Sequence, residues 1–347
     1  GGLLNFNTFT DTEKSSTTSG DYLVDVERDD QGSYFLLTRT NGIVTLSKLA
    51  ADGTFDTSFA NQGRKYLNPS ALVDKNVSAF DDAASFDTFT PMHLVVDKDS
   101  GSSHYGKVYM LGFHKYGSTD LPFVIRFNTD GNLDSSFSSD GKFEKLFSSD
   151  KTHAFDLLLH SDGNLYFAVN TKAGEGTRIF KLIKLNDAGI EQASQSFNLT
   201  ASQSDKEDII GLVENASNEV VVFGSTELSG SETDLLIAKV DKDNLSAAPT
   251  VNSVDLSSIL LSSVDKVTTY LQDSSNTVFL GGTTDYNLSG DDDSLLVKFN
   301  LSTLALDASF DSDGIYEDSL YSLSDDAVID ISMNQSGEIT FVSAIDL

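Results

Sequence analysis

Short runs of alternating apolar and polar residues, each bounded by a polar turn, recur along the whole chain. Residues 22–26 and 34–38 flank Asp30-Gln31-Gly32, and residues 157–159 and 165–169 flank Asp162-Gly163. Apolar residues of period two around turn-forming residues are the pattern of β-hairpins. Runs at 220–223, 278–280 and 339–342 close further hairpins, and a longer version joins residues 93–96 to 108–111. The pattern predicts six hairpins, and almost nothing in it reads as a long amphipathic helix.

Behind the hairpins runs a second signal. A strand ending in a basic residue and an apolar one recurs as Lys48-Leu49, Arg126-Phe127-Asn128, Lys184-Leu185-Asn186, Lys239-Val240-Asp241 and Lys298-Phe299-Asn300. Three of these lead into a turn signature, Asp52-Gly53-Thr54-Phe55-Asp56-Thr57-Ser58-Phe59, Asp130-Gly131-Asn132-Leu133-Asp134-Ser135-Ser136-Phe137 and the degraded Leu306-Asp307-Ala308-Ser309-Phe310. Gly and another short apolar-alternating run follow each. A unit of about sixty residues with four short strands has the length and strand count of a propeller blade.

The predicted fold is therefore all-β: a six-bladed β-propeller of four-stranded antiparallel blades, one domain over residues 1–347. The blades are expected near 19–75, 76–150, 151–204, 205–262, 263–323, and 324–347 together with 1–18. The last blade is expected to close by pairing the N-terminal strand, residues 2–9, with the C-terminal hairpin, which removes the open edges of a linear array.

The hairpin, the Lys-apolar-Asn strand and the Asp-Gly signature together resemble the delta-sixty repeat of bacterial β-propellers. The resemblance spans nearly the whole chain and is strong in about three of the six units. It implies a module of a large secreted or cell-surface bacterial protein, adhesin-like ones included. It implies no catalytic residue.

Composition narrows the partners. The chain carries 53 acidic against 23 basic residues, net −30, which opposes nucleic-acid and anionic-membrane partners. The excess fits solubility in a salty medium, bound calcium, or attraction to a cationic partner. There is no cysteine, and no apolar run long enough to insert in a membrane. The Gly1-Gly2 start suggests a monomeric piece of a larger chain.

Positions repeated in every blade are expected to be structural, whereas a ligand site should break the repeat. By that rule Asp56, Asp134 and Asp307 cap turns, each with a Phe anchor, and the basic third-strand residues are salt-bridged or snorkelling. The loops leaving second strands and those entering the next first strand share one face, the expected binding face. There the candidates for ligand binding are Phe80, Asp81, Asp82, Phe86, Asp87 and Phe89, in an irregular insertion over residues 69–92, with His114, Tyr116 and Tyr286. Candidates for calcium are Asp291, Asp292 and Asp293, with Asp120 and Asp234, because calcium prefers several hard oxygen ligands. None of the five histidines, His93, His104, His114, His153 and His160, has a metal-ligand spacing.

The first functional reading is a non-catalytic extracellular propeller, calcium-stabilised, that binds a glycan or protein ligand on a surface. The second is a secreted glycan hydrolase or lyase with carboxylates at the channel mouth. The third is a structural spacer.

Overall fold

The computed structural model describes residues 22–40, 43–67, 86–116, 119–147, 151–173, 177–197, 199, 206–227, 233–254, 256, 265–273, 276–285, 291–318, 325–334 and 336–346. The chain divides into two compact units, residues 1–169 with 184–192 and residues 170–183 with 193–347; the division runs through the third sheet.

In the first unit, β1 (Tyr22–Arg28), β2 (Tyr34–Thr40), β3 (Ile43–Leu49) and β4 (Arg64–Leu67) form one antiparallel sheet in chain order. A second holds β5 (Phe86–Val96), β6 (Val108–Tyr116), β7 (Thr119–Phe127) and β8 (Lys142–Glu144). The third, through which the division between the units runs, holds β9 (Lys151–Leu159), β10 (Leu165–Ala173), β11 (Thr177–Leu185) and β12 (Glu191–Phe197).

In the second unit, β13 (Lys206–Glu214), β14 (Val220–Glu227), β15 (Thr233–Val240) and β16 (Thr250–Val254) form the fourth blade, joined to β11 by the single parallel pair Arg178 and Lys206. The fifth has β17 (Asp265–Gln272), β18 (Thr277–Thr284) and β19 (Asp293–Asn300), its outer position shared by β20 (Ala305–Leu306) and β21 (Ile315–Asp318). Among the described residues β22 (Asp325–Met333) and β23 (Ile339–Asp346) pair with each other alone.

The fold is thus an all-β propeller with five four-stranded blades, and the expected six-bladed β-propeller is corrected to five. The six predicted hairpins exist, but a hairpin marks only the inner pair of a blade. The last, β22–β23, gains no third or fourth strand among the described residues. The strand expected to close it, residues 2–9, lies outside the described residues.

Strand position explains the hydrophobic pattern. Inner-sheet strands are covered on both faces and read as continuous apolar runs: Val220, Val221, Val222 and Phe223 are wholly buried, as is Val278. Outer strands are covered on one face, so β12 (Glu-Gln-Ala-Ser-Gln-Ser-Phe) alternates half-buried and exposed positions. Neighbouring blades share one core in each unit. Phe35, Leu46 and Phe59 of the first blade meet Leu94, Met110 and Phe123 of the second. Phe223 and Ile237 of the fourth meet Leu280 and Val297 of the fifth. Each such side chain contributes roughly 1.5–3 kcal/mol relative to exposure.

The turn signature locks successive blades together. Asp56, Asp134 and Asp307 each accept the backbone N–H two residues on, from Ser58, Ser136 and Ser309, all at 3.1 Å. Each also pairs with its basic third-strand residue: Lys48 at 3.3 Å, Arg126 at 2.6 Å and Lys298 at 3.2 Å. In the first two copies the Phe that ends the signature inserts beneath the next blade's turn, whereas Phe310 packs edge-on against Phe279. A Cβ on Gly131 would lie 2.9 Å from Phe59, and one on Gly189 2.7 Å from Phe137. Both glycines have positive φ, +80° and +74°, so they are required twice over. A backbone bond seals each contact, from Ala60 N–H to Asp130 O and from Ser138 N–H to Ala188 O, both 2.7 Å.

Arg126 is the strongest form of this lock. It is fully buried between the Tyr109 and Phe137 rings, and it donates to Asp134, to Ser136 Oγ (2.9 Å) and to the Asp187 carbonyl (2.5 Å). Lys107 Nζ adds a second cation 2.6 Å from Asp134. Burial opposes ionisation of Asp134, but Lys107, Ser136 and Arg126 together hold its carboxyl far below the usual range. This group therefore stabilises the fold above the ordinary carboxylate range and loses that contribution as pH falls through it into strong acid.

Arg126→Met is expected to destabilise the protein by about 3–5 kcal/mol in denaturant unfolding, because it strips a buried carboxylate of one of two cations. Lys298→Met, at the more open equivalent pair, is expected to cost about 1 kcal/mol or less. Equal losses at the two sites would show that burial does not distinguish them.

Candidate functional site

The first strands of the first, second, fourth and fifth blades, and β22, are kinked. Pairing slips by one residue after Leu23, Pro91, Ile209, Val267 and Val328, and resumes at Asp25, His93, Gly211, Thr269 and Asp330. An Asp at this position accepts the N–H of the next residue, as Asp25 does from Val26 (2.7 Å), Asp156 from Leu157 (2.8 Å) and Asp330 from Ile331 (2.9 Å). Gly211 departs from this because a Cβ there would lie 2.1 Å from the Phe223 ring and 2.8 Å from Tyr270.

His93 departs for an electrostatic reason. It stands between two of the aspartates, with Nδ1 3.0 Å from Asp25 Oδ2 and Nε2 3.2 Å from Asp156 Oδ1. Asp25 Oδ2 also accepts the Leu94 N–H at 2.7 Å. Both ring nitrogens must donate, so the imidazolium is the matching form. Burial opposes that charge, but Asp156, then Asp25 and Glu27, raise its pKa to about 9. In return Asp25, although disfavoured by burial, is held below the usual carboxylate range by His93 and the two backbone N–H groups. The bridge ties the first strands of three consecutive blades, and it leaves the imidazole no lone pair for a metal or a substrate proton.

The second irregularity is a loop. First and second strands are joined by five residues at 29–33, 160–164, 215–219 and 334–338, but by eleven at 97–107. The insertion is fastened at several points. Asp97 accepts from Asp99 N–H (3.0 Å) and Ser102 Oγ (2.6 Å), Lys98 pairs with Glu27 (2.5 Å), and the exposed Tyr105 hydroxyl reaches Asp30 at 2.7 Å. It walls a cleft of about 540 Å³ whose opposite side is the pair of third-blade turns carrying His160, Asp162 and Asp187.

His104, from the insertion, lines this cleft with 18% of its side chain exposed. Its Nε2 is 3.7 Å from Asp187 Oδ2, beyond hydrogen-bonding distance, and neither ring nitrogen has a hydrogen-bond partner. Burial, then the nearby Arg126 and Lys107, depress its pKa against the opposing pull of Asp187, so the ring is neutral at pH 7. Two other hollows, about 550 Å³ beside Arg64 and Asp130 and about 480 Å³ beside Lys239 and Asp241, adjoin the turns that recur from blade to blade.

The residues singled out from sequence lie elsewhere. Phe80, Asp81, Asp82 and Tyr286 fall outside the described residues. Phe86, Asp87 and Phe89 belong to β5, where Phe86 opposes Tyr116 and Phe89 opposes His114, so the irregular stretch becomes strand from residue 86. His114 is wholly buried, 3.2 Å from Glu144 and against the Phe123 ring at 4.7 Å. Asp120, Asp234 and Asp293 occupy equivalent starts of the third strands of separate blades, and all three are buried. Asp291 and Asp292 are half-buried. The Asp292 N–H donates to Asp325 at 3.1 Å, and burial together with the Asp325 charge raises the Asp292 pKa. Among the described residues no three metal-ligating side chains converge.

A family profile described as "Domain of unknown function (DUF5122) beta-propeller" matches residues 112–137, the stretch from β6 through β7 to the Phe137 anchor. No curated protein sequence matches the chain. Among solved structures it is similar to the endo-arabinase from Bacteroides thetaiotaomicron, 9% identical over 74% of this chain and 87% of that one, with a TM-score of 0.42. A protein of unknown function from Dyadobacter fermentans is 11% identical over 95% and 99%, TM-score 0.46. The Hadza microbial sialidase Hz136 is 10% identical over 82% and 57%, TM-score 0.47. Likenesses this distant carry nothing about chemistry.

The His93 bridge fixes a pH dependence. Its folded-state pKa, about 9, lies above the ordinary 6.5, so its stabilisation is complete below about 6.5 and lost as pH rises through about 9. Thermal unfolding across pH 6 to 10 is expected to show this alkaline loss in the native chain, and a flatter profile in His93→Gln. Identical profiles would mean that His93 carries no charge in the folded protein.

Proposed function

We propose that the chain is a non-catalytic ligand-binding propeller of the delta-sixty kind, a module of a secreted or surface-attached bacterial protein, and that its ligand occupies the cleft beneath the 97–107 insertion. The observation that carries this reading is the insertion itself. Among the described residues it is the first-to-second-strand connection that departs from the five-residue plan by more than a residue, and it brings polar side chains of three turns around one cavity. A scaffold of repeated turns needs no such loop; a binding site does.

The alternative, a glycan hydrolase or lyase, needs a carboxylate or imidazole with a pKa tuned for proton transfer and an open path to substrate. The inner-strand carboxylates nearest that description, Asp25 and Asp156, are occupied by His93 and by backbone N–H groups. That geometry favours stitching over turnover.

Calcium enters the same proposal as a stabiliser. The raised pKa of Asp292 reflects burial and repulsion from Asp325 and Asp285, which a divalent cation would relieve. Thermal unfolding in calcium is expected to exceed that in chelator by several degrees, with magnesium a poor substitute. No shift would leave the −30 charge to solubility.

The binding reading is tested by applying the purified chain to glycan and peptide arrays and, in parallel, to a mixed polysaccharide digest. Retention on an array without released products is the expected result. Released products would replace it with the hydrolase reading, and silence in both assays would leave a spacer.

A further inference from the structure

We propose that blade packing continues from one copy of the chain to a second: the open face of β22 and β23 in one copy packs on the open face of β1 in another, Val342 against Val26. Such an interface is separate from the cleft that holds the ligand in the reading above.

The kink in the first strand sets how neighbouring blades meet. Where pairing resumes, at Asp25, His93, Gly211, Thr269 and Asp330, the partners on the second strands are Leu37, Leu111, Phe223, Gly281 and Val342. Such a partner packs on the next blade's first strand, one residue past the point where pairing resumes there. Phe223 meets Tyr270 edge-on at 4.8 Å, Leu37 shares a core with Leu94, and a Cβ on Gly281 would lie 3.0 Å from Ile331. The residue before the slip faces the same neighbour, since that Cβ would lie 2.6 Å from Val328.

The first described strand and the last two break this plan. On β1, Leu23 is 57% and Val26 47% exposed, although their equivalents are buried: Ile209, Val267 and Val328 before the slip, Leu94, Leu212 and Ile331 after it. On the last hairpin, Val342 is 53% exposed where Leu37, Leu111 and Phe223 are wholly buried. Ile329 is 51% exposed where its equivalents Val24 and Ile210 pack against blade-to-blade cores. These four are half of the eight large apolar side chains exposed among the described residues, so the exposure is concentrated on two faces rather than scattered. Each face is one half of the interface that blades of this chain already make, and a second copy carries the other half. Val342 against Val26 is the next pair in the series Leu37 with Leu94, Phe223 with Tyr270 and Gly281 with Ile331. Because the two faces differ, the contact is head-to-tail, and each added copy leaves one face of either kind open. The net charge of −30 on each copy opposes the approach, so screening by salt should favour it.

The test is sedimentation velocity on the full chain across a wide concentration range, in low and in high salt. The native mass is expected to rise with concentration, and to rise further in high salt. Val26→Asp and Val342→Asp should each stay monomeric alone, because each keeps only one of the two faces. Mixed in equal amounts they should form a one-to-one dimer and nothing larger, joining the intact hairpin face of the first to the intact β1 face of the second. The unfolding midpoint of each variant at low concentration should match the native chain, since both positions are about half exposed in the single copy; that separates lost assembly from lost folding.

A native chain that stays monomeric at every concentration would overturn the second copy as the occupant; lowered unfolding midpoints in both variants would then show that the two faces cover each other within one chain. Assembly that persists in either single variant would overturn these faces as the interface. A mixture of the variants that stays monomeric while the native chain assembles would overturn the pairing of one face with the other.

Discussion

The order of the first three blades depends on an aromatic ring placed under a neighbour's turn. Phe59 fills the space that a side chain on Gly131 would take, and Phe137 does the same at Gly189. The first and second blades are each thereby positioned by the turn of the blade that follows, to within the tolerance of a ring against a backbone. The charged pairs of the signature serve this contact by fixing the turn that delivers the ring. This explains why the signature couples residues of such different character, a glycine, an aspartate, a serine and a phenylalanine, at constant spacing. A small surface turn is in effect the interface between repeats.

Because the lock is local, irregularities elsewhere are tolerated, and they accumulate in the first unit. The second blade carries the eleven-residue connection, the fully buried Arg126 and the bridging His93. These three are physically linked. Arg126 and Lys107 pair with Asp134 beside the insertion, and the same cations add to burial in lowering the pKa of His104. The stabilising lock and the cleft thus share an electrostatic environment.

Much of the architecture was legible in the sequence because the repeat is written in turns. Gly131, Gly189, Asp134 and Phe137 have roles that follow from residue type and spacing. The blade count was not legible, since hairpin signals report inner strands, and residues 325–346 form a hairpin that lacks outer partners among those described. The cleft escaped for a different reason. Length and acidity drew attention to the connections after second strands, whereas His104 looks ordinary until the third blade's Asp187 is folded beside it. His93 could have been found by aligning first strands, where it replaces the aspartate seen at 25, 156 and 330. His114 shows the converse: it looks like a loop residue, but its burial against Phe123 and Glu144 arises from long-range pairing that no local pattern encodes.

The Asp25–His93–Asp156 bridge also bears on how such arrays diversify. If every copy kept the ancestral-looking aspartate at the bulge, the middle carboxylate would face two like charges in a poorly hydrated space. The imidazolium of His93 at the middle copy removes that repulsion. Averaging the blades into a single idealised repeat, a common route to sturdier arrays, would erase that difference and set three anions side by side. In this array, imperfection between neighbouring copies is a condition of their packing.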